Sequence, residues 1–142
     1  MTDADKQTFL DTARRVTSIE TAALSALGDS LGAEFGEAIE LLLSANGRVI
    51  ISGMGKSGHI ARKIAATFAS TGTPAHLVHP AEASHGALGM MAQGDVALVL
   101  SHSGETPELA ALVAYTRRLN IPPIGVSRPP TRTPTQPRAG RP

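Results

Sequence analysis

Two short runs carry residue types that could do chemistry. In Gly53-Met54-Gly55-Lys56-Ser57-Gly58, three glycines remove side chains where a backbone must bend or approach a ligand, and a cation and a hydroxyl stand between them. If a helix starts inside this run, its free N–H groups favour an anion, and Lys56 adds a point charge. The second run, Ser101-His102-Ser103-Gly104-Glu105-Thr106, brings three hydroxyls, with Pro107 following as a first helical residue. Many short donors and little net charge are what a phosphate monoester needs. Each run also has a plainer reading. A glycine-rich turn can serve only close helix–strand packing, and Ser and Thr before a helix can serve only capping.

Other anion sites fit less well. Gly53 to Gly58 satisfies Gly-x-Gly-x-x-Gly, the dinucleotide fingerprint, and Glu82 stands near where an acidic ribose ligand would lie. Against this alternative, Glu82 falls past the next strand, after His79-Pro80-Ala81, and a dinucleotide gives the hydroxyl-rich run no duty. A nucleoside triphosphate loop would need glycine where Ile50 stands. His59, His76, His79, His85 and His102 lack the spacing of a zinc site, and there is no cysteine, so no metal is expected.

The elements that must position these runs follow from periodicity. Apolar residues from Phe9 to Leu27 recur at three and four and predict an amphipathic helix; a second runs from Leu31 to Leu43, with Asn46-Gly47 as its left-handed stop. Arg48–Ser52 is a β-branched run that enters the first glycine turn, and Ile60 to Ser70 restores the helical period. Ala75–His79 and Asp95–Leu100 are read as strands, Ala81 to Met91 as a loop with a helical piece, Thr106 as the N-cap of the next helix, and Ile121–Val126 as a fourth strand. Alternation of this kind predicts an α/β fold, a three-layer, doubly wound parallel sheet behind two N-terminal helices. Both marked runs then leave carboxyl ends of strands, where such sheets bind ligands.

Composition bounds the rest. The 142 residues suffice for one core, built from aliphatic residues because aromatics make up 3% and Trp is absent. The net charge of +1 hides an asymmetry: the last sixteen residues hold four Arg and no acid, leaving nine basic against twelve acidic residues before them. A mildly acidic body without a basic, aromatic stripe argues against nucleic acid. No apolar run approaches the ~18 residues of a membrane span, and the start lacks a signal peptide, so a soluble, cytoplasmic protein is expected.

The segments Gly-Met-Gly-Lys-Ser-Gly-His-Ile (53–60), Ala-Ser-Thr-Gly-Thr-Pro (69–74), His-Pro-Ala-Glu-Ala-Ser-His-Gly (79–86) and Ser101 to Thr106 closely resemble the sugar isomerase (SIS) domain of bacterial arabinose-5-phosphate isomerases. The likeness runs from about Leu24 to Val126 and implies a flavodoxin-like fold. It implies interconversion of D-arabinose 5-phosphate and D-ribulose 5-phosphate through a cis-enediol, in the supply of Kdo for lipopolysaccharide, without a cofactor. Such chemistry needs a base, a proton shuttle between two oxygens and a donor for the developing oxyanion. By the resemblance, phosphate contacts fall on Ser57, Ser101, Ser103 and Thr106, and catalytic roles on Lys56, Glu108 and His85; Gly55 and His102, in the same two turns, are expected among the phosphate-binding residues as well. Sites of this family form across subunit contacts, so a homo-oligomer is expected. Ala87 and His102 depart from the family pattern, which usually has an acid and an Asn there. After Val126 the sequence turns rich in Pro, Arg and Thr. The expected organisation is therefore a partial SIS domain over 1–126, incomplete at its C-terminus, and a disordered tail over 127–142. The abrupt change has the look of a shifted reading frame, and a chain so shortened is expected to bind a sugar phosphate with negligible turnover. A noncatalytic sugar-phosphate-binding SIS module is the alternative within the family.

Overall fold

The computed structural model describes residues 1–83 and 85–128. Contacts divide the chain into two units, Met1–Ile39 and Glu40–Pro142. In the first, α1 spans Asp3–Ser30, longer at both ends than the apolar period alone predicts. A capping box starts it: the Asp5 N–H donates to Thr2 Oγ1 and the Thr2 N–H donates to the Asp5 carboxylate at 2.7 Å. The Thr2 N–H and hydroxyl hold the Asp5 carboxyl below the usual aspartate range. No residue of α1 is buried, and Phe9 and Leu24 are 63% and 68% exposed.

Helix α2 spans Ala33–Leu43, two residues shorter at its start than expected. Its end corrects the sequence reading, because neither Asn46 nor Gly47 is left-handed. Ser44 closes the helix instead, its N–H donating to the Glu40 carbonyl and its hydroxyl to that of Leu41. Gly47 is glycine for another reason: a Cβ there would collide with the Asp95 carboxylate and stand 3.0 Å from the Asp95 nitrogen.

The second unit is built on a parallel four-stranded sheet in the order β2-β1-β3-β4, with β1 at Val49–Gly53, β2 at Ala75–Leu77, β3 at Val96–Ser101 and β4 at Pro123–Ser127. The central strands β1 and β3 are buried at every position, as their unbroken apolar runs require. Helix α3 (Lys56–Ser70) connects β1 to β2, and α5 (Pro107–Arg118) connects β3 to β4. These crossovers run in opposite directions from the β1–β3 pair, so right-handed connections place the two helices on opposite faces. Side chains agree. Ile50, Ala97 and Val99 share a core with Leu109 and Leu112 of α5, whereas Leu98 and Leu100 share the other face with Ile60 and Ile64 of α3. The short helix α4 (Pro80–Ala83) and a 3-10 turn at Ala87–Met90 complete the α5 side.

Several boundaries differ from those read in the sequence. β2 stops at Leu77 because Pro80 opens α4, although the Val78 N–H still donates to the Ile51 carbonyl. β4 starts at Pro123, not Ile121: α5 ends on left-handed Asn120, and the buried Ile121 donates its N–H back to the Thr116 carbonyl. Ser127 belongs to β4 rather than to a tail, and Arg128 is described; the remainder of the expected disordered segment, 129–142, lies outside the described residues.

Asp95 is not a strand residue but the clamp below β1 and β3. It is 2% exposed and accepts the N–H groups of Arg48 at 2.8 Å and Ala92 at 2.9 Å, while the Arg48 guanidinium donates to the Met90 carbonyl and lies 3.6 Å from the carboxylate. Asp95→Ala strands both donors, at a cost of about 2–4 kcal/mol. We expect a lower denaturant midpoint at unchanged slope, and a smaller loss for Asp95→Asn, which keeps one acceptor.

Candidate phosphate site

The first turn is shaped by backbone meeting backbone. A Cβ on Gly58 would stand 2.7 Å from the Gly53 carbonyl oxygen, and one on Gly53 would stand 2.9 Å from the Ser57 carbonyl group. The start of α3 thus folds directly over the end of β1, closer than any side chain permits. Gly55 makes the bend at φ +57° and ψ −124° and occupies the N-cap of α3 without a side-chain cap. Gly58 donates its N–H to the Met54 carbonyl at 3.4 Å, which leaves the N–H groups of Lys56 and Ser57, without a side-chain cap, as the partial positive charge that attracts anions.

The second turn is organised by Ser101. This residue is 9% exposed; its Oγ accepts the Gly104 N–H at 3.0 Å and lies 2.7 Å from Thr106 Oγ1. Gly104 allows the bend at φ +76°. Ser103 Oγ accepts the Glu105 N–H at 3.2 Å. Thr106 occupies the expected N-cap position of α5, yet its side chain caps nothing, because the hydroxyl is engaged by Ser101. Residues Gly53 and Leu100 are register partners, so the two turns leave neighbouring strands, at the point where the sheet's connections diverge.

A cleft of about 450 Å³ opens between the turns, lined by Lys56, Ser57, Ser101, His102, Ser127 and Arg128 over an apolar floor that includes Leu98 and Leu100. A second trough of about 490 Å³ lies along β3 and β4 against α5, and Thr106 lines it. Ser101 and Ser127 border both. The structure therefore gathers Lys56, Ser57, Ser101 and His102, with Lys56 and His102 exposed and Ser57 half-buried. Gly55 shapes the turn without lining the cleft, and the exposed Ser103 lines neither hollow.

Glu108 and His85 are not among the residues that line this cleft. Glu108 is exposed in the first turn of α5, whose buried residues are Leu109, Leu112 and Thr116. His85 is exposed after α4, its N–H donating to the Glu82 carbonyl, and its neighbour Ser84 lies outside the described residues. Neither lines the cleft or the trough. Sequence reasoning missed Ser127 and Arg128, which it assigned to the tail. Their place follows from pairing: Ser127 is the register partner of Ser101, and the Arg128 N–H donates to the His102 carbonyl at 3.2 Å. Among the described residues there is no cluster of three or more His, Asp or Glu able to hold a metal ion, and no helix long and apolar enough to cross a membrane.

Comparison with known proteins agrees with this arrangement. The SIS domain family model matches residues 41–133, which include both turns and the whole sheet. Arabinose 5-phosphate isomerase KdsD of Pseudomonas aeruginosa is 49% identical over 122 residues, 86% of this chain and 37% of that protein. The KdsD of Escherichia coli K12 is 45% identical over 122 residues, with the same coverage. The chain thus spans little more than a third of the length of these relatives. Among solved structures, the Escherichia coli CFT073 protein c3406 in complex with arabinose 5-phosphate superposes with a TM-score of 0.82 at 41% identity, covering 91% of this chain and 67% of that one. The dinucleotide alternative is not favoured by any of these matches. A parallel sheet with two anion-seeking turns at its switch point, matched by the family model across all of it, places this chain in the SIS domain family.

Proposed function

We propose that the chain binds a pentose 5-phosphate, and that its cleft belongs to a site interconverting D-arabinose 5-phosphate and D-ribulose 5-phosphate, which feeds Kdo and so lipopolysaccharide synthesis. The observation that carries this reading is the convergence of the uncapped α3 N-terminus, Lys56, Ser57, Ser101 and His102 on one cleft of about 450 Å³, a size suited to a small ligand. The phosphate sits at the helix end and the hydroxyls. The Lys56 ammonium adds a charge-assisted contact to the phosphate, and the open-chain sugar extends from there along the cleft. The KdsD relatives and the arabinose 5-phosphate complex of the c3406 protein support the choice of sugar.

Proton transfer between C1 and C2 also needs a base, and Glu108 and His85 lie outside this cleft within one copy. We therefore expect ligand binding by the 142-residue chain, with negligible turnover by a single copy. Thermal-shift measurement with a panel of phosphorylated and free sugars and nicotinamide dinucleotides tests the binding class. A sugar phosphate at a hundredfold its Kd should stabilise the fold by about 2.7 kcal/mol. Stabilisation by the dinucleotides alone would overturn the reading, and isomerisation at ordinary enzymatic rates at concentrations where the chain is monomeric would overturn the expectation on turnover.

We also infer self-association, because Phe9, Val16, Ile19, Leu24 and Leu27 recur along α1 at helical spacing and are all exposed. Light scattering at tens of micromolar should report a mass above 14.7 kDa. A strict monomer would refute it.

A further inference from the structure

We propose that Arg128 is a second cationic contact for the ligand's phosphate, acting opposite Lys56 and setting the preference for phosphorylated over free sugar. The inference rests on the sugar-phosphate reading above. Three observations carry it. Arg128 lines the cleft that holds Lys56, Ser57 and His102, although it lies 72 residues beyond Lys56 in the chain. Its backbone is tied to the hydroxyl-rich turn, since its N–H donates to the His102 carbonyl at 3.2 Å directly after the register pair Ser101–Ser127. Finally, among the described residues no acid lines the cleft, and Lys56 and Arg128 are the two permanent cations that do.

The chemistry is complementary. A phosphate monoester carries close to two negative charges near neutral pH, and the body of the chain, with nine basic against twelve acidic residues before the tail, offers no general positive field to attract it. Lys56 supplies a point charge. Arg128 supplies a planar fork that can take two phosphate oxygens at once, a geometry lysine cannot reproduce. With its main chain fixed on the turn and its long side chain exposed, Arg128 can close on the phosphate from the β4 side without moving the sheet. A free pentose has nothing for the fork to grip. Selectivity for the phosphorylated ligand then resides in β4 as much as in the glycine turn.

The test is calorimetric titration of the full 142-residue wild-type, Arg128→Gln and Arg128→Lys chains with arabinose 5-phosphate, arabinose and inorganic phosphate. Arg128→Gln should bind arabinose 5-phosphate about tenfold more weakly, with a shallower salt dependence and an unchanged melting temperature, and should lose affinity for inorganic phosphate in parallel. Arg128→Lys should fall between the two. Arg128→Gln binding the phosphate ester within twofold of wild type overturns the inference and leaves the sugar-phosphate reading standing. A wild-type chain that binds no sugar phosphate overturns both.

Discussion

Alanine at Gly58 should destabilise the fold by about 1–3 kcal/mol and abolish sugar-phosphate binding together. The new Cβ would lie 2.7 Å from the Gly53 carbonyl oxygen, and main chain stands on both sides of that contact, so no flexible side chain can give way. Helix α3 must lift off the end of β1, which moves its N-terminal N–H groups, Lys56 and Ser57 away from the second turn. Two controls separate this from a generic glycine effect. Gly55→Ala meets no atom within 4 Å but must hold φ +57°, so it should show strain of about 1–3 kcal/mol without displacing the helix. Gly36→Ala lies inside α2 with nothing within 4 Å, and should gain up to about 1 kcal/mol. Denaturant unfolding and ligand titration of the three variants check the order. Full binding by Gly58→Ala would show that the close approach does not position the site.

Lys56→Met should separate binding from stability. Lys56 is the first residue of α3, where a cation opposes the helix dipole. Removing it should leave stability unchanged or raise it by about 0.3–1 kcal/mol, whereas loss of a charge-assisted phosphate contact should weaken arabinose 5-phosphate binding at least tenfold. A side chain tolerated against the local electrostatics is expected where a ligand supplies the missing negative charge. Equal binding by Lys56→Met would assign the residue to solvated surface.

The central strands were legible in the sequence because burial on both faces of β1 and β3 leaves an unbroken apolar run that no helix stripe imitates. The edges were not. β4 carries Pro123 and exposes all but Ile124, so its span could not be read from hydrophobicity, and its true end at Ser127 is fixed by pairing with β3. Helix ends misled where one residue type serves two purposes. Asn46-Gly47 has the form of a left-handed stop, yet Gly47 is small to make room for the Asp95 clamp 48 residues later, and left-handed residues stand instead at Gly72 after α3 and Asn120 after α5.

The candidate site divides along the same line. Lys56, Ser57, Ser101 and His102 were legible because their turns follow directly from two strands, and neighbouring parallel strands bring their carboxyl ends together. The bond between Ser101 and Thr106 was not, since it depends on Gly104 folding the turn back. Arg128 was hidden by composition: it opens an Arg- and Pro-rich stretch, and only the β3–β4 register brings it to the cleft. Glu108 and His85 came from resemblance alone, and within one copy neither lines the cleft.

The most direct measurement is calorimetric titration of the wild-type chain with arabinose 5-phosphate, with arabinose and NADH as comparators. The account predicts saturable one-site binding of the phosphate ester, weakened by salt, and no measurable heat from the other two. Saturable binding of NADH with no response to arabinose 5-phosphate would contradict it.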